Sequence, residues 1–169
     1  DDWLGLSAIT QLALFPAFGD MDGDSDEDLL LGNADGTLIY YQNTAGPGVA
    51  CNFVFANPQY QGLDIGNNSM PQVIDVNRDG DLDLLSGTGA GGVIFSENVG
   101  TRQKPEWSAF RQLIPGSSAH DQTTAGGQEI VPSPSTRVWA VDWNRDGWLD
   151  LLVGDGATIV NPKEGLTQE

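Results

Sequence analysis

The chain has 169 residues, of which 22 are glycine and 9 are proline, a composition typical of many short strands and tight turns. The net charge is −17, with only 7 lysines and arginines, which excludes a nucleic-acid interface built on a basic patch. The single Cys51 excludes an intrachain disulfide, and no apolar run approaches the roughly 18 residues of a membrane-spanning helix.

Short β-type segments bounded by turn residues occur along the whole chain. In chain order, twelve strands are predicted, at 9–15, 17–20, 28–32, 37–43, 53–59, 72–76, 83–87, 93–98, 107–114, 138–143, 150–154 and 158–160. They predict an all-β fold of three four-stranded blades in one domain, 1–169, with blades at about 9–59, 71–114 and 137–161. Residues 115–136 are rich in Pro, Gly, Ser and Thr and are predicted to form an inserted loop.

One acidic motif occurs three times without a gap and begins at Asp20, Asp75 and Asp142. Each copy has oxygen side chains at positions 1, 3, 5 and 9, followed by Leu-Leu-x-Gly. Such side chains can converge on one point, and calcium accepts about six to eight oxygen ligands in flexible geometry. We therefore expect each loop to hold one Ca²⁺ ion, which makes about three ions in the chain.

The expected ligands occupy positions 1, 3, 5, 7 and 9 of each loop. They are Asp20, Asp22, Asp24, Asp26 and Asp28 in the first loop; Asp75, Asn77, Asp79, Asp81 and Asp83 in the second; and Asp142, Asn144, Asp146, Trp148 and Asp150 in the third. Position 7, which is Asp26, Asp81 or Trp148, is expected to coordinate through its backbone carbonyl. Position 6 is glycine in two loops, so Ser25 predicts a less ideal turn in the first.

Two alternatives to a calcium loop fit the motif less well. The EF-hand needs a Glu at position 12 and a following helix, but position 12 is Leu31, Ser86 or Val153 and a strand pattern follows. A set of solvated acidic turns without an ion would leave several carboxylates close together, which raises their pKa values. Because 13 of the 24 acidic residues lie in the loops, the acidity is mostly a metal-site signature.

Other motifs carry weaker signals. The stretch 87–92 matches G-x-G-x-x-G, but Val93-Ile94-Phe95 follows it, so a glycine-rich hairpin is predicted rather than a nucleotide site. His120 has no recognisable catalytic context, and no catalytic residue is predicted. Asn67-Asn68-Ser69 is a possible glycan acceptor.

The three motif copies and the residues after them resemble the FG-GAP/VCBS repeat family. Residues 32–44 and 92–100 are typical of its VCBS-like branch, whereas the Gly-Ala-Pro of the integrin branch is absent. The resemblance implies β-propeller blades in which a strand enters a calcium loop and a buried Asp-Leu-Leu strand follows. Weak calcium loops work where calcium is millimolar, which favours an extracellular, cell-surface or lumenal location.

Three blades are too few for a closed propeller, which typically has about four to eight. We therefore expect a partial propeller or arc that is part of a longer protein or packs against other chains or further repeats through open blade edges. The leading hypothesis is a non-enzymatic, calcium-stabilised extracellular interaction and assembly module. The alternative is a glycan-binding module attached to a secreted enzyme or adhesin, with exposed Trp148 and Tyr40 or Tyr41 as its platform. Trp139 is interpreted as packing between blades.

Overall fold

The computed structural model describes residue 4, residues 13–116, residues 135–154 and residue 156. Within this part of the chain the backbone forms ten short strands and one turn of 3-10 helix at Tyr60–Gly62. The strands are β1 (Phe15–Gly19), β2 (Asp28–Gly32), β3 (Leu38–Asn43), β4 (Phe53–Asn57), β5 (Met70–Ile74), β6 (Asp83–Gly87), β7 (Gly92–Ser96), β8 (Arg111–Pro115), β9 (Arg137–Val141) and β10 (Asp150–Gly154). No helix among the described residues is long and apolar enough to cross a membrane.

The strands form three antiparallel sheets, each in sequential order. The first sheet is β1–β4, the second is β5–β8, and the third is the pair β9–β10. The prediction of an all-β fold is confirmed, and the described sheets form an open series rather than a closed propeller. The predicted strand at 158–160 lies outside the described residues, as does most of the predicted insertion, so the number of blades stays a prediction.

Several predicted strand boundaries differ from the structure by one or two residues, and two differences are larger. The first strand begins at Phe15, and most of the predicted strand at 9–15 lies outside the described residues. The prediction of a strand from residue 107 is wrong, because β8 begins at Arg111 and Trp107 makes only an isolated bridge to Asn98. The Asn98 side chain accepts hydrogen bonds from the N–H groups of Gly100 and Glu106, at 3.0 Å each. Such side-chain hydrogen bonds take the place of backbone hydrogen bonds between strands, so the strand begins later in the chain.

The sheets stack face to face, and apolar residues fill the spaces between them. Ala17, Leu30 and Leu38 of the first sheet pack with Val73 and Leu84 of the second. Between the second and third sheets the core consists of Leu85, Val93, Phe95 and Ala140. A third cluster, on the other face of the first sheet, is Leu29, Leu31, Ile39 and Tyr41, against which Leu4 packs. Since successive strand residues point to opposite faces, the leucines after the first and second loops fit strands that are buried on both faces, whereas β10 is mostly exposed among the described residues.

The glycine that ends each motif marks where one sheet meets the next. A Cβ at Gly32 would lie 2.2 Å from the Ser69 carbonyl oxygen, and one at Gly87 would lie 1.8 Å from the Thr136 carbonyl oxygen. Ser69 and Thr136 are fully buried and directly precede β5 and β9. Gly154, the third copy, has no heavy atom of the described residues within 4 Å of such a Cβ. The same backbone contact therefore joins the first sheet to the second and the second to the third, and within the described part of the chain β10 has no counterpart of it.

The first strands of the sheets lie near one another. β1 packs beside β5, and β5 packs beside β9. The Arg137 guanidinium of β9 also lies 5.4 Å from the centroid of the Phe15 ring of β1. The beginnings of these three strands therefore converge on a common region.

Candidate metal centre

The three acidic loops connect the first and second strands of their sheets and share one backbone shape. In each loop, positions 4 and 6 both have a positive φ, namely Gly23 (78°) and Ser25 (76°), Arg78 (68°) and Gly80 (97°), and Arg145 (61°) and Gly147 (89°). The first loop therefore makes the same turn as the others despite Ser25. A non-glycine residue in this region costs about 1 kcal/mol or more, so each loop stores strain that its hydrogen bonds must offset.

Backbone N–H groups hold the side chain at position 1. Asp20 Oδ1 accepts from the Gly23 N–H at 2.7 Å, and Asp20 Oδ2 accepts from the Ser25 N–H at 3.1 Å. Asp75 accepts in the same way from Arg78 and Gly80, at 2.6 and 3.0 Å. In the third loop the carboxylate oxygens at position 1 accept from positions 5 and 6, at 3.1 and 2.9 Å.

Positions 3 and 5 form a second shared pattern. In every loop an oxygen of position 3 accepts from the N–H of position 5, at 2.9–3.3 Å. An oxygen of position 5 likewise accepts from the N–H of position 7, at 2.8–3.0 Å. The side chains at positions 1, 3 and 5 therefore turn inward over their own loop.

Position 9 connects the loop to the sheet. Fully buried Asp28 accepts from the N–H of Met21 at 3.0 Å and from that of Asn43, at the end of β3, at 2.8 Å. Asp83 makes the equivalent bonds to Val76 and Asn98, at 2.9 and 3.0 Å. In the third loop, Asp150 accepts from the Trp143 N–H at 3.1 Å. The sequence predicted these residues only as ligands, and the bonds of Asp28 to Asn43 and of Asp83 to Asn98 were missed.

Three of the predicted side chains in the first loop come together. Carboxylate oxygens of Asp20, Asp22 and Asp28 lie within 4.8 Å of one another. Hard oxygen donors converging in this way suit a divalent cation such as calcium. This cluster could therefore hold a metal ion, and the same positions of the other two loops carry aspartate or asparagine.

Burial sets the electrostatics of position 9. Desolvation raises the pKa of Asp28 to about 6, although hydrogen bonds from Asn43, Tyr40 and Met21 act in the opposite direction. Desolvation also raises the pKa of Asp83. The guanidinium of Arg102 lies 3.5 Å from Asp20 Oδ2 and supplies one positive charge at the first loop. A bound cation would favour the ionised forms that burial disfavours.

Gln42 in β3 and Glu97 directly after β7 contact position 3 of their loops, and neither contact was predicted from the sequence. The Gln42 amide donates to Asp22 Oδ2 at 2.6 Å, whereas the Asn77 amide donates to Glu97 Oε1 at 3.1 Å. Gln42 and Glu97 are 55 residues apart, the same offset as Asp22 and Asn77. The acid and the amide have therefore exchanged places between the two loops. Applying the 55-residue offset to Gln42 would have pointed to Glu97.

The aromatic residues divide into buried and exposed sets. The expectation that Tyr40 or Tyr41 forms an exposed platform is wrong: Tyr41 is 2% exposed, and the half-buried Tyr40 hydroxyl donates to Asp28 Oδ2 at 3.0 Å. Trp148 is 71% exposed, and the Arg78 guanidinium lies 4.9 Å from its ring centroid. The stretch 87–92 forms the hairpin between β6 and β7, as predicted.

Comparison with known families agrees with the repeats. A family model described as an FG-GAP-like repeat matches residues 20–86 and again residues 75–153. Each match runs from the start of one acidic loop through the strand that follows the next loop. No curated protein and no solved structure matches the chain significantly.

Proposed function

Because the chain belongs to the FG-GAP-like repeat family, we propose that it is a calcium-stabilised, non-enzymatic module for extracellular interaction and assembly. Repeats of this family are structural and binding units, typical of extracellular proteins. In this chain, calcium would be the ion, the three acidic loops would hold it, and the outer face of the third sheet would meet a partner.

The observation that carries the proposal is the shared hydrogen-bonding pattern of the three loops. Each loop turns its oxygen side chains inward at positions 1, 3 and 5. Each also has an aspartate at position 9, and in two loops that side chain is fully buried. Buried carboxylates without a counter-ion destabilise a fold, so the arrangement favours a cation as its complement.

Position 9 is where ion binding would affect the fold. Asp83 connects Val76 in the loop to Asn98 beyond β7, so an ion held by this carboxylate would stabilise the first three strands of its sheet. Calcium supplies positive charge there, which offsets the repulsion between neighbouring carboxylates. An ion bound in this way would stabilise the fold, and this role requires no catalytic side chain.

The outer face of the third sheet is the proposed contact surface. Trp139 and Leu152 are register partners on that face, and they are 60% and 39% exposed. The equivalent pair in the first sheet, Ala17 and Leu30, is 7% and 1% exposed because the second sheet covers it. We infer that a further sheet of the same repeat type covers Trp139, which was interpreted as an inter-blade residue. An exposed apolar face of this kind is typical of an interface.

The calcium proposal is tested by titrating the chelated protein with calcium and counting bound ions. We expect about three ions and a melting temperature that rises with calcium; an ion at 100 times its dissociation constant adds about 2.7 kcal/mol to the free energy of unfolding. Asp83→Ala should reduce the count by one, whereas Asp81→Ala should not, since position 7 is expected to use its backbone. Asp83→Asn serves if the alanine variant does not fold. Unchanged melting with no bound ion would contradict the proposal.

A second candidate function is glycan binding on exposed tryptophans. Trp143 and Trp148 are 72% and 71% exposed, and both belong to the third loop. Aromatic faces of this kind stack on sugar rings. A glycan array with the wild-type protein and Trp148→Ala would separate the two functions: sugar binding that the substitution abolishes favours the second candidate.

A further inference from the structure

The side chain of Asp26 sets the first loop apart from the other two. Asp26 is only 6% exposed, and its Oδ2 accepts from the Gly46 N–H, in the β3–β4 connection, at 2.7 Å. Its other oxygen, Oδ1, is buried and has no hydrogen-bond partner among the described residues. A buried carboxylate oxygen without a partner is costly, so it requires a physical explanation.

The surroundings of Asp26 are acidic. Its own N–H donates to Asp24 Oδ1 at 3.0 Å, which places the two residues side by side in the loop. Desolvation raises the pKa of Asp26, and the nearby carboxylates of Asp24 and Asp22 raise it further. The Asp26 carboxylate is therefore a further negative group near the three carboxylates that converge at positions 1, 3 and 9, and a cation would be the natural partner of its buried Oδ1.

The equivalent positions of the other loops lack this arrangement. Asp81 at position 7 of the second loop is half-buried, and Trp148 in the third is 71% exposed. Thr101, the counterpart of Gly46 by the 55-residue offset, donates its N–H to the Lys104 carbonyl oxygen at 3.1 Å. The bond that holds Asp26 inward is thus particular to the first loop among these described residues.

We propose that the carboxylate of Asp26 is a side-chain ligand of the cation in the first loop, in addition to the backbone carbonyl expected at position 7. This inference rests on the proposed function, since it requires that the loops bind calcium. The first loop then offers carboxylates at positions 1, 3, 5, 7 and 9, whereas the second and third have an asparagine at position 3. Calcium affinity in such loops rises with the number of charged ligands, so the first loop fills first.

The test compares Asp26→Asn with the matched variant Asp81→Asn, each titrated with Ca²⁺ by calorimetry and melted in calcium and in chelator. The amide oxygen introduced by Asp26→Asn can still accept from the Gly46 N–H, so the substitution removes charge and keeps the hydrogen bond. We expect Asp26→Asn to weaken the tightest ion by about tenfold or more, while Asp81→Asn leaves that ion unchanged.

The melting temperatures supply a readout that a purely structural role would not give. In chelator, Asp26→Asn should raise the melting temperature, because it removes repulsion from Asp22 and Asp24. In calcium the same substitution should lower the melting temperature, because a ligand is lost. A decrease of similar size in both conditions, or an unchanged calorimetric titration, would overturn the inference while the wild-type protein still binds calcium. A wild-type protein that binds no calcium would instead overturn the proposed function. Asp26→Ser, measured in the same way, serves if the asparagine variant does not fold.

Discussion

The buried aspartate at position 9 shows how one residue serves both the loop and the sheet. Its spacing in the motif predicts an oxygen ligand at Asp28 and Asp83, and this assignment stays a prediction. Its bonds to Asn43 and Asn98 could not be predicted, because each partner is 15 residues away and its position depends on strand register. The inward side chain of Asp26 was missed for a similar reason, since Gly46 belongs to a different connection.

The raised pKa of Asp28 predicts that the stability of the metal-free protein depends on pH. The pKa of Asp28 is about 6 in the folded state and 3.8 without the fold, so between those values the folded state binds more protons than the unfolded state. The free energy of unfolding should therefore fall, through this group, as the pH rises from about 4 to about 6. With calcium the contribution should reverse, because the ion binds the ionised carboxylate.

Chemical denaturation in chelator at several pH values would measure this effect. Asp28→Asn is the control, because it cannot titrate, and its stability relative to the wild type should improve across that pH range. A constant difference between the two proteins from pH 4 to pH 7 would contradict the prediction.

At the level of the element, the motif's final glycine and its Leu-Leu pair explain how strands become stacked sheets. The leucines predicted a buried strand after each loop. β2 and β6 are buried along their whole length, whereas β10 is mostly exposed among the described residues. The glycine's role was not visible in the sequence, since the carbonyl that it contacts belongs to the residue before the next sheet. The start of β8 was mispredicted because the Asn98 side chain, rather than strand propensity, shapes that connection.

The glycines give a matched pair of substitutions. Gly87→Ala would place a Cβ 1.8 Å from the Thr136 carbonyl oxygen, whereas Gly154→Ala meets no described atom within 4 Å. We expect the first change to cost about 2–4 kcal/mol of the free energy of unfolding, by forcing the second and third sheets apart, and the second change to cost less than about 0.5 kcal/mol. Urea denaturation in calcium measures both; equal losses would show that the glycine serves something other than sheet contact.

For the whole molecule, composition and repeats were sufficient to predict an all-β chain with acidic loops at three places. The number of sheets that a finished assembly contains is not encoded in these local patterns, because it depends on what covers the outer face of the third sheet. Trp139 and Leu152 leave that face open among the described residues.

An open apolar face predicts self-association. In calcium we expect sedimentation velocity to show species heavier than the 18.0 kDa chain as the concentration rises, because the exposed face can pack against a second copy. Trp139→Lys should restore the 18.0 kDa species without lowering the number of bound ions. A wild-type protein that stays at this mass at every concentration would argue against this face as a contact surface.

The approach of Arg137 to Phe15 has a consequence for the size of any assembly. The first strands of the three sheets converge at one side. Successive sheets are therefore rotated about a common axis near those strands instead of being stacked along a straight line. A heterologous contact repeated with a rotation gives a ring where the rotation closes and an open helical filament where it does not. We therefore expect growth by this contact to follow a curved path, and a closed ring would have a fixed number of members.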